Sequence, residues 1–160
     1  MLVPFENLSS DSKIWIYQSD RVLSKAEVEN IKKKTEDFLV EWTAHGQSLQ
    51  AGMQILHDQF ILIGVNESVN EASGCSIDKS VNHIRELEYS LNLNLLDRSK
   101  IALLVNQQVQ LVNFSEIKEF VSNGSINSST EVFNNAIVSK KELETKWKKP
   151  ASESWIKRYF

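Results

Sequence analysis

The sequence is poor in the residues that build disulfides, metal clusters and sharp breaks. Its 160 residues include one cysteine, two prolines, five glycines and three histidines. A single cysteine, Cys75, excludes an internal disulfide and any zinc site built from paired cysteines. The longest apolar run covers residues 60–65, whereas a membrane helix needs about 20 apolar residues. The first residues lack the basic and apolar regions of a secretory signal. We therefore expect a cytoplasmic protein without a membrane segment.

Nucleotide-binding and metal-binding motifs are also missing. A P-loop needs a glycine followed by lysine and then serine or threonine, because these groups hold the phosphates. None of the five glycines precedes a lysine. The three histidines, His45, His57 and His83, form neither an HxxxH nor an HExxH spacing. We expect no metal site and no cofactor, with His57 in a turn and His83 on the polar face of a helix.

The hydrophobic periodicity predicts an α+β fold with the element order β-α-ββ-α-ββ-α-β-α. Consecutive strands joined by short turns indicate mainly antiparallel sheet packed by helices. The strand 60–65 is apolar on both faces and is expected at the centre of its sheet. The predicted strands cover residues 13–18, 51–56, 60–65, 101–105, 109–113 and 131–138.

The helices are predicted from their caps and their apolar stripes. Ser24 with Glu27 forms a capping-box pattern at the start of the first helix, and Gly46 is its expected end. The second helix is expected over 77–91 and the third over 115–121. Ser139 with Glu142 repeats the capping pattern and predicts a last helix that ends before Pro150. Residues 1–160 are expected to form one domain.

Charge is unevenly distributed along the chain, whose formal net charge is −3. Residues 139–160 hold seven basic and three acidic residues, a balance of +4 that leaves −7 for the rest. Basic residues interleaved with aromatics can bind single-stranded nucleic acid. They can equally dock a tail while the lysines face water, and we favour docking because no RNA-binding motif accompanies them. The aromatic residues of this segment are Trp147, Trp155, Tyr159 and Phe160.

The most suggestive segment for chemistry covers residues 73–78, at the start of the second helix. Helix N-termini attract anions through unpaired N–H groups and the helix dipole. Either Cys75 or Ser76 is expected at the N-cap. The predicted ligand-binding residues are Trp42, Ser73, Gly74, Ser76 and Asp78, with Asp78 in the first helical turn.

Cys75 and His45 are the candidate catalytic residues. The open ends of the first hairpin lie at one sheet edge, so the loops that carry these two residues are expected to be neighbours. We also expect the turn at residues 106–108 to reach this edge. An imidazole close to the thiol would activate it as a nucleophile. The alternative is structural, because free cysteines are often buried and because Ser-Gly-Cys-Ser is good capping chemistry.

Several segments resemble a family of small uncharacterised bacterial proteins that often carry the automatic label "ABC transporter ATPase". These segments are VPFENL, KIWIYQSDR, EWTAHG, ASGCSIDKSV, LLDR, VFNNAIV and PASESW. The resemblance covers nearly the whole chain and implies a stand-alone single-domain protein, but it implies no activity. The ATPase label is not supported by the residues, since there is no P-loop and no Walker-B acidic pair.

Three functions follow as hypotheses. The first is a binding module for an anionic small molecule or a protein partner at residues 73–76. The second is a thiol-dependent enzyme or redox protein that uses Cys75 and His45. The third is an RNA- or ribosome-associated protein that uses the basic C-terminal segment. We favour the first, because no third group is evident to orient His45.

Overall fold

The structure is a computed structural model that describes residues 1–160. It is an α+β fold with antiparallel sheets, as the sequence predicts. Its internal contacts divide the chain into two compact units, which are described separately below. The first unit contains Met1–Leu96 and Val138–Lys141, and the second contains Asp97–Ile137 and Glu142–Phe160.

The first unit is built on a three-stranded antiparallel sheet. Its strands are β1 (Lys13–Gln18), β4 (Ala51–Leu56) and β5 (Phe60–Val65), in the order β1-β5-β4. All six residues of β5 are buried, because β5 has a strand on each side and apolar side chains on both faces. The predicted bounds of these three strands and the central position of β5 are confirmed.

Two long helices, α1 (Lys25–Val40) and α2 (Gly74–Leu91), contribute to the core of this unit. The capping box predicted at Ser24 and Glu27 is present. A hydrogen bond from Arg21 to the Glu27 carboxylate lowers the pKa of Glu27 to about 2, and the Ser24 backbone N–H adds to this effect. None of the helices is both long and apolar enough to cross a bilayer.

A short hairpin separates α1 from β4. It consists of β2 (Thr43–Ala44) and β3 (Gln47–Ser48), which pair across a two-residue turn at His45 and Gly46. Both turn residues have positive φ, 52° and 78°, as a type I′ turn requires. The predicted role of Gly46 as the end of α1 is therefore wrong. The helix ends at Val40, and Gly46 supplies the left-handed turn instead.

The second unit contains a separate four-stranded antiparallel sheet in the order β7-β6-β8-β9. The turn at residues 106–107 belongs to this sheet and not to the sheet of the first unit, which corrects its expected placement. The chain around this sheet also includes the short helix α3 (Ile117–Ser122). The four strands are β6 (Lys100–Val105), β7 (Gln108–Asn113), β8 (Glu131–Phe133) and β9 (Lys148–Pro150).

The C-terminal part of the chain differs most from the prediction. The strand expected over 131–138 ends at Phe133, where Asn134 bonds the backbone of Ala136 and turns the chain. The helix expected up to Pro150 is only the single turn α4 (Glu142–Thr145), followed by β9. Residues 138–141 instead extend the sheet of the first unit. Ser139 bridges Lys13 at the outer edge of β1.

Gly52 is a position where the fold has no room for a side chain. A Cβ at residue 52 would lie 2.6 Å from the Val3 carbonyl oxygen and 3.1 Å from the Phe5 backbone. We therefore expect Gly52→Ala to lower the free energy of unfolding by about 1–3 kcal/mol, because backbone must move. Urea denaturation measures this change. Gly74→Ala is the matched control, since a Cβ there contacts nothing within 4 Å, and an equal loss in both variants would contradict the prediction.

Candidate functional site

The first turn of α2 is closed by its own serines. Ser73 is the N-cap, its hydroxyl accepts from the Ser76 N–H at 3.1 Å, and the Ser76 hydroxyl accepts from the Ser73 N–H at 2.7 Å. The expectation that Cys75 or Ser76 occupies the N-cap is therefore wrong, and α2 begins at Gly74. Asp78 is consequently the fifth helical residue and not part of the first turn. The expectation that Asp78 lies in the first turn is therefore wrong.

The loop segments expected to converge are indeed neighbours. The Trp42 indole donates from Nε1 to the Ser76 carbonyl oxygen at 2.8 Å, and Asn70 donates to the Gln47 carbonyl oxygen at 3.1 Å. The Trp42 side chain is buried, with 2% of its surface exposed. It stacks edge-on against Trp15. Trp42 therefore anchors the β2–β3 hairpin to α2 and is not accessible to a ligand.

Cys75 and His45 both lie at the surface of these neighbouring segments. Cys75 is a free, exposed cysteine, so it is not the buried structural residue that the alternative interpretation predicted. His45 is exposed at the tip of the β2–β3 hairpin. No hydrogen bond joins the imidazole to the thiol, and neither side chain bonds a third group that would orient it. The geometry lacks the contacts of a catalytic dyad.

The charges around the start of α2 do not favour an anion. The N–H groups of Gly74 and Cys75 donate to no backbone carbonyl, and a Cβ added at Gly74 would contact nothing within 4 Å. However, the Glu67 carboxylate already accepts from the Ala72 N–H at 3.0 Å, and Glu71 lies next in the chain. A single helix end contributes about 0.3–1 kcal/mol to anion binding, and nearby carboxylates oppose it. The predicted anion site has little electrostatic support.

Thiol labelling tests the Cys75–His45 hypothesis. We expect His45→Ala to leave the rate at which Cys75 reacts with a maleimide, measured across pH, unchanged within about twofold, because no hydrogen bond links the two groups. Ser73→Ala serves as a second variant, since it removes the cap close to the thiol. A slower reaction in His45→Ala alone would restore the thiol-enzyme hypothesis.

His83 was missed as a buried residue. Its Nε2 lies 2.9 Å from the Thr35 hydroxyl, and its ring stacks on Phe38 with centroids 4.7 Å apart. Burial lowers the pKa of His83 from 6.5, against the opposing effect of Glu86, and Lys34 lowers it further. The expected position on the polar face of α2 is therefore wrong. The neutral imidazole joins α1 to α2 as part of the packing.

This burial predicts a pH dependence of stability. The unfolded chain binds the His83 proton more readily than the folded chain, so the stabilisation is complete above pH 6.5 and declines as the pH falls through the lowered pKa. His83→Gln keeps a hydrogen-bonding side chain without the charge. We expect this variant to lower the free energy of unfolding by about 1 kcal/mol near neutral pH. We also expect its free energy of unfolding to fall less than that of the wild type between about pH 7.5 and about pH 5.5, measured by urea denaturation. An identical decline in both proteins would contradict this assignment.

A groove of about 590 Å³ lies in the first unit, away from the start of α2. Its walls are residues 2–6 of the N-terminal segment and the exposed flank of α1, and its floor is residues 53–55 of β4. This volume is in the range of pockets that bind small molecules or peptide segments. No hydrophobic periodicity in the sequence predicts this groove. The one residue at its border with a recognisable sequence signal is Pro4, because a proline cannot continue the backbone pairing of the N-terminal segment.

The C-terminal aromatics divide between core and surface. Trp147 is buried, as docking predicts, whereas Trp155 and Phe114 are 40% and 43% exposed and lie 5.2 Å apart. Trp155 also lines a smaller cavity of about 190 Å³ with Lys146 and Lys149. The docking interpretation therefore holds for Trp147 but leaves Trp155 accessible.

Comparisons with protein families, with curated proteins and with solved structures return no match for this chain. The resemblance to the bacterial family stays a prediction.

Proposed function

We propose that this chain is a binding module for a segment of a protein partner, and that the groove beside β4 is its site. The observation that carries this proposal is an open groove whose floor is formed by residues 53–55 of β4. Among the described cavities it has the larger volume. Its apolar lining residues, Leu2, Val28 and Ile55, are only partly buried and pack against the core.

The groove supports a binding function better than the first turn of α2 does. The serines there cap each other, and Glu67 bonds the adjoining backbone. An anionic small molecule at Gly74 and Cys75 remains a prediction that the neighbouring carboxylates weaken. A thiol enzyme lacks an activating contact at Cys75. The proposal therefore keeps the binding module and the protein partner of the sequence-based hypothesis but moves the site.

The proposed setting is the cytoplasm, where an exposed free thiol such as Cys75 stays reduced. The RNA-associated alternative depends on Trp155 with Lys146 and Lys149. Glu153 lines the same cavity and offsets part of its positive charge. The charged residues that line this cavity therefore balance to +1, two lysines against one glutamate, which is weak support for binding a polyanion.

The experiment uses neighbouring lysines of α1. Lys32 lines the groove, whereas Lys33 pairs with Asp37 at 3.1 Å on the exposed face. A tryptophan at residue 32 would fill the groove with an indole. We expect Lys32→Trp to weaken binding of a random pool of seven-residue peptides by about tenfold or more, and Lys33→Trp to leave it unchanged. Amide shifts in a heteronuclear NMR titration measure binding and locate it.

The same titration contains the contradicting outcomes. Peptide-induced shifts confined to residues 73–78, or no shifts at all, would overturn the proposed site. Tight binding of oligouridine with a steep salt dependence, lost in Trp155→Ala, would assign the function to nucleic acid instead. Lys32 is exposed and not part of the core, so we expect the Lys32→Trp variant to fold, and a cooperative urea transition at the wild-type midpoint verifies this.

A further inference from the structure

We infer that the partner segment binds by adding a strand to the open edge of β4, and that this segment is basic. The inference rests on the proposed function and specifies how the groove is occupied. It depends on the direction of the backbone groups of β4, on the path of the N-terminal segment and on the charges of the groove walls.

The backbone groups of Met53 and Ile55 point away from the sheet. In β4 the Ala51 N–H donates to the Met1 carbonyl at 3.0 Å, and the Ala51 carbonyl accepts from the Val3 N–H at 2.8 Å. Ala51 therefore directs its polar groups outward, away from β5. Since strand geometry repeats every two residues, Met53 and Ile55 direct theirs to the same side.

These outward groups have no partner in the protein. The N-terminal segment runs parallel to β4 with Leu2 opposite Ala51, and a continued ladder would place residue 4 opposite Met53. Pro4 cannot donate a hydrogen bond, and the segment turns into a short 3-10 helix at Phe5. Two N–H and two C=O groups consequently stay unpaired along the floor of the groove.

An unpaired strand edge of this kind is a template for an extended segment. In strand addition, main-chain hydrogen bonds supply affinity and alternate side chains supply specificity. The other edge of the sheet, at β1, is covered at its start, because Ile14 donates to the Val138 carbonyl at 3.0 Å and Lys140 donates to the Ser12 carbonyl at 2.9 Å. The open edge that lies in the groove is that of β4.

The charges of the groove walls select the occupant. Glu6, Glu29 and Glu36 line the groove against the single cation Lys32, which leaves two negative charges. A basic segment complements this balance, whereas an acidic segment is repelled. Val28 and Ile55 offer apolar contact between the charges. We therefore expect lysine or arginine to alternate with apolar residues in the segment.

The probe is a five-residue peptide, capped at both ends, that alternates lysine and valine. Two methylated versions of the peptide are compared, one with N-methyl groups on its odd-numbered amides and one with N-methyl groups on its even-numbered amides. Only one set of amides faces β4 in a given register. We therefore expect one version to bind about tenfold or more weakly than the unmethylated peptide, and the other version to keep its affinity. Binding to the wild-type protein also protects the Met53 and Ile55 amides from hydrogen exchange.

Two neighbouring carboxylates of α1 test the charge. Glu36 lines the groove and Asp37 does not. We expect Glu36→Lys to weaken binding of the lysine–valine peptide by about threefold to tenfold, and Asp37→Lys to change it little. Replacing lysine by glutamate in the peptide should abolish binding, and added salt should weaken binding of the lysine–valine peptide.

Failure of this inference is distinguishable from failure of the proposed function. Equal binding of both N-methyl patterns, with shifts still at the groove and still lost in Lys32→Trp, would overturn strand addition and leave the groove as the site. Preference for the glutamate peptide would overturn the basic occupant. Absence of any shift at residues 53–55 with every peptide would overturn both.

Discussion

The unpaired edge of β4 is the constraint from which the functional interpretation follows. Backbone N–H and C=O groups are nearly always bonded in folded proteins, and strand edges are where this requirement is hardest to meet. In the sheet of the first unit, residues 138–141 cover the start of the β1 edge, and the N-terminal segment covers β4 only at Ala51. The rest of the β4 edge opens into a groove with apolar and acidic walls. The same backbone chemistry that builds the sheet thus leaves a place for one more strand.

The start of α2 shows why a helix end is not by itself a binding site. Ser73 and Ser76 satisfy each other's N–H groups, and Trp42 occupies the Ser76 carbonyl. These bonds hold the helix to the β2–β3 hairpin. Ser73, Ser76 and Trp42, which the sequence suggested as ligand-binding residues, therefore cap the helix and join it to the segment before β2. Only Cys75 and Gly74 remain open, and Glu67 lies close to them.

Strong periodicity made much of the first unit predictable. The apolar run of β5 and the capping box at Ser24 specify their elements locally, so their predicted positions are confirmed. The turn between β2 and β3 was harder to predict from the sequence. His45 adopts the left-handed conformation next to Gly46, and the pair forms a hairpin of only two-residue strands that leaves no periodic pattern. A His-Gly pair is a signal for such a turn only once its flanking residues are known to pair.

The C-terminal part was predicted poorly for a different reason. A capping pattern at Ser139 and Glu142 marks where a helix can begin, but tertiary contacts decide how far it continues. Trp147 is buried against Phe133, with ring centroids 4.8 Å apart, and the strand β9 that follows pairs with β8. Non-local pairing thus replaces the local helix after one turn. No sequence window contains the information on that pairing.

The groove was unpredictable because it depends on residues far apart in the chain. Gly52 permits the Val3 carbonyl to approach the sheet, where any Cβ would lie 2.6 Å away. The N-terminal segment can then leave the line of β4 at Pro4 and cross towards Phe5, whose ring lies within 3.1 Å of a Cβ built on Gly64. Were the segment to continue along β4, it would itself pair with Met53 and fill the groove. Two glycines and a proline thus keep open the edge that an extended partner can use.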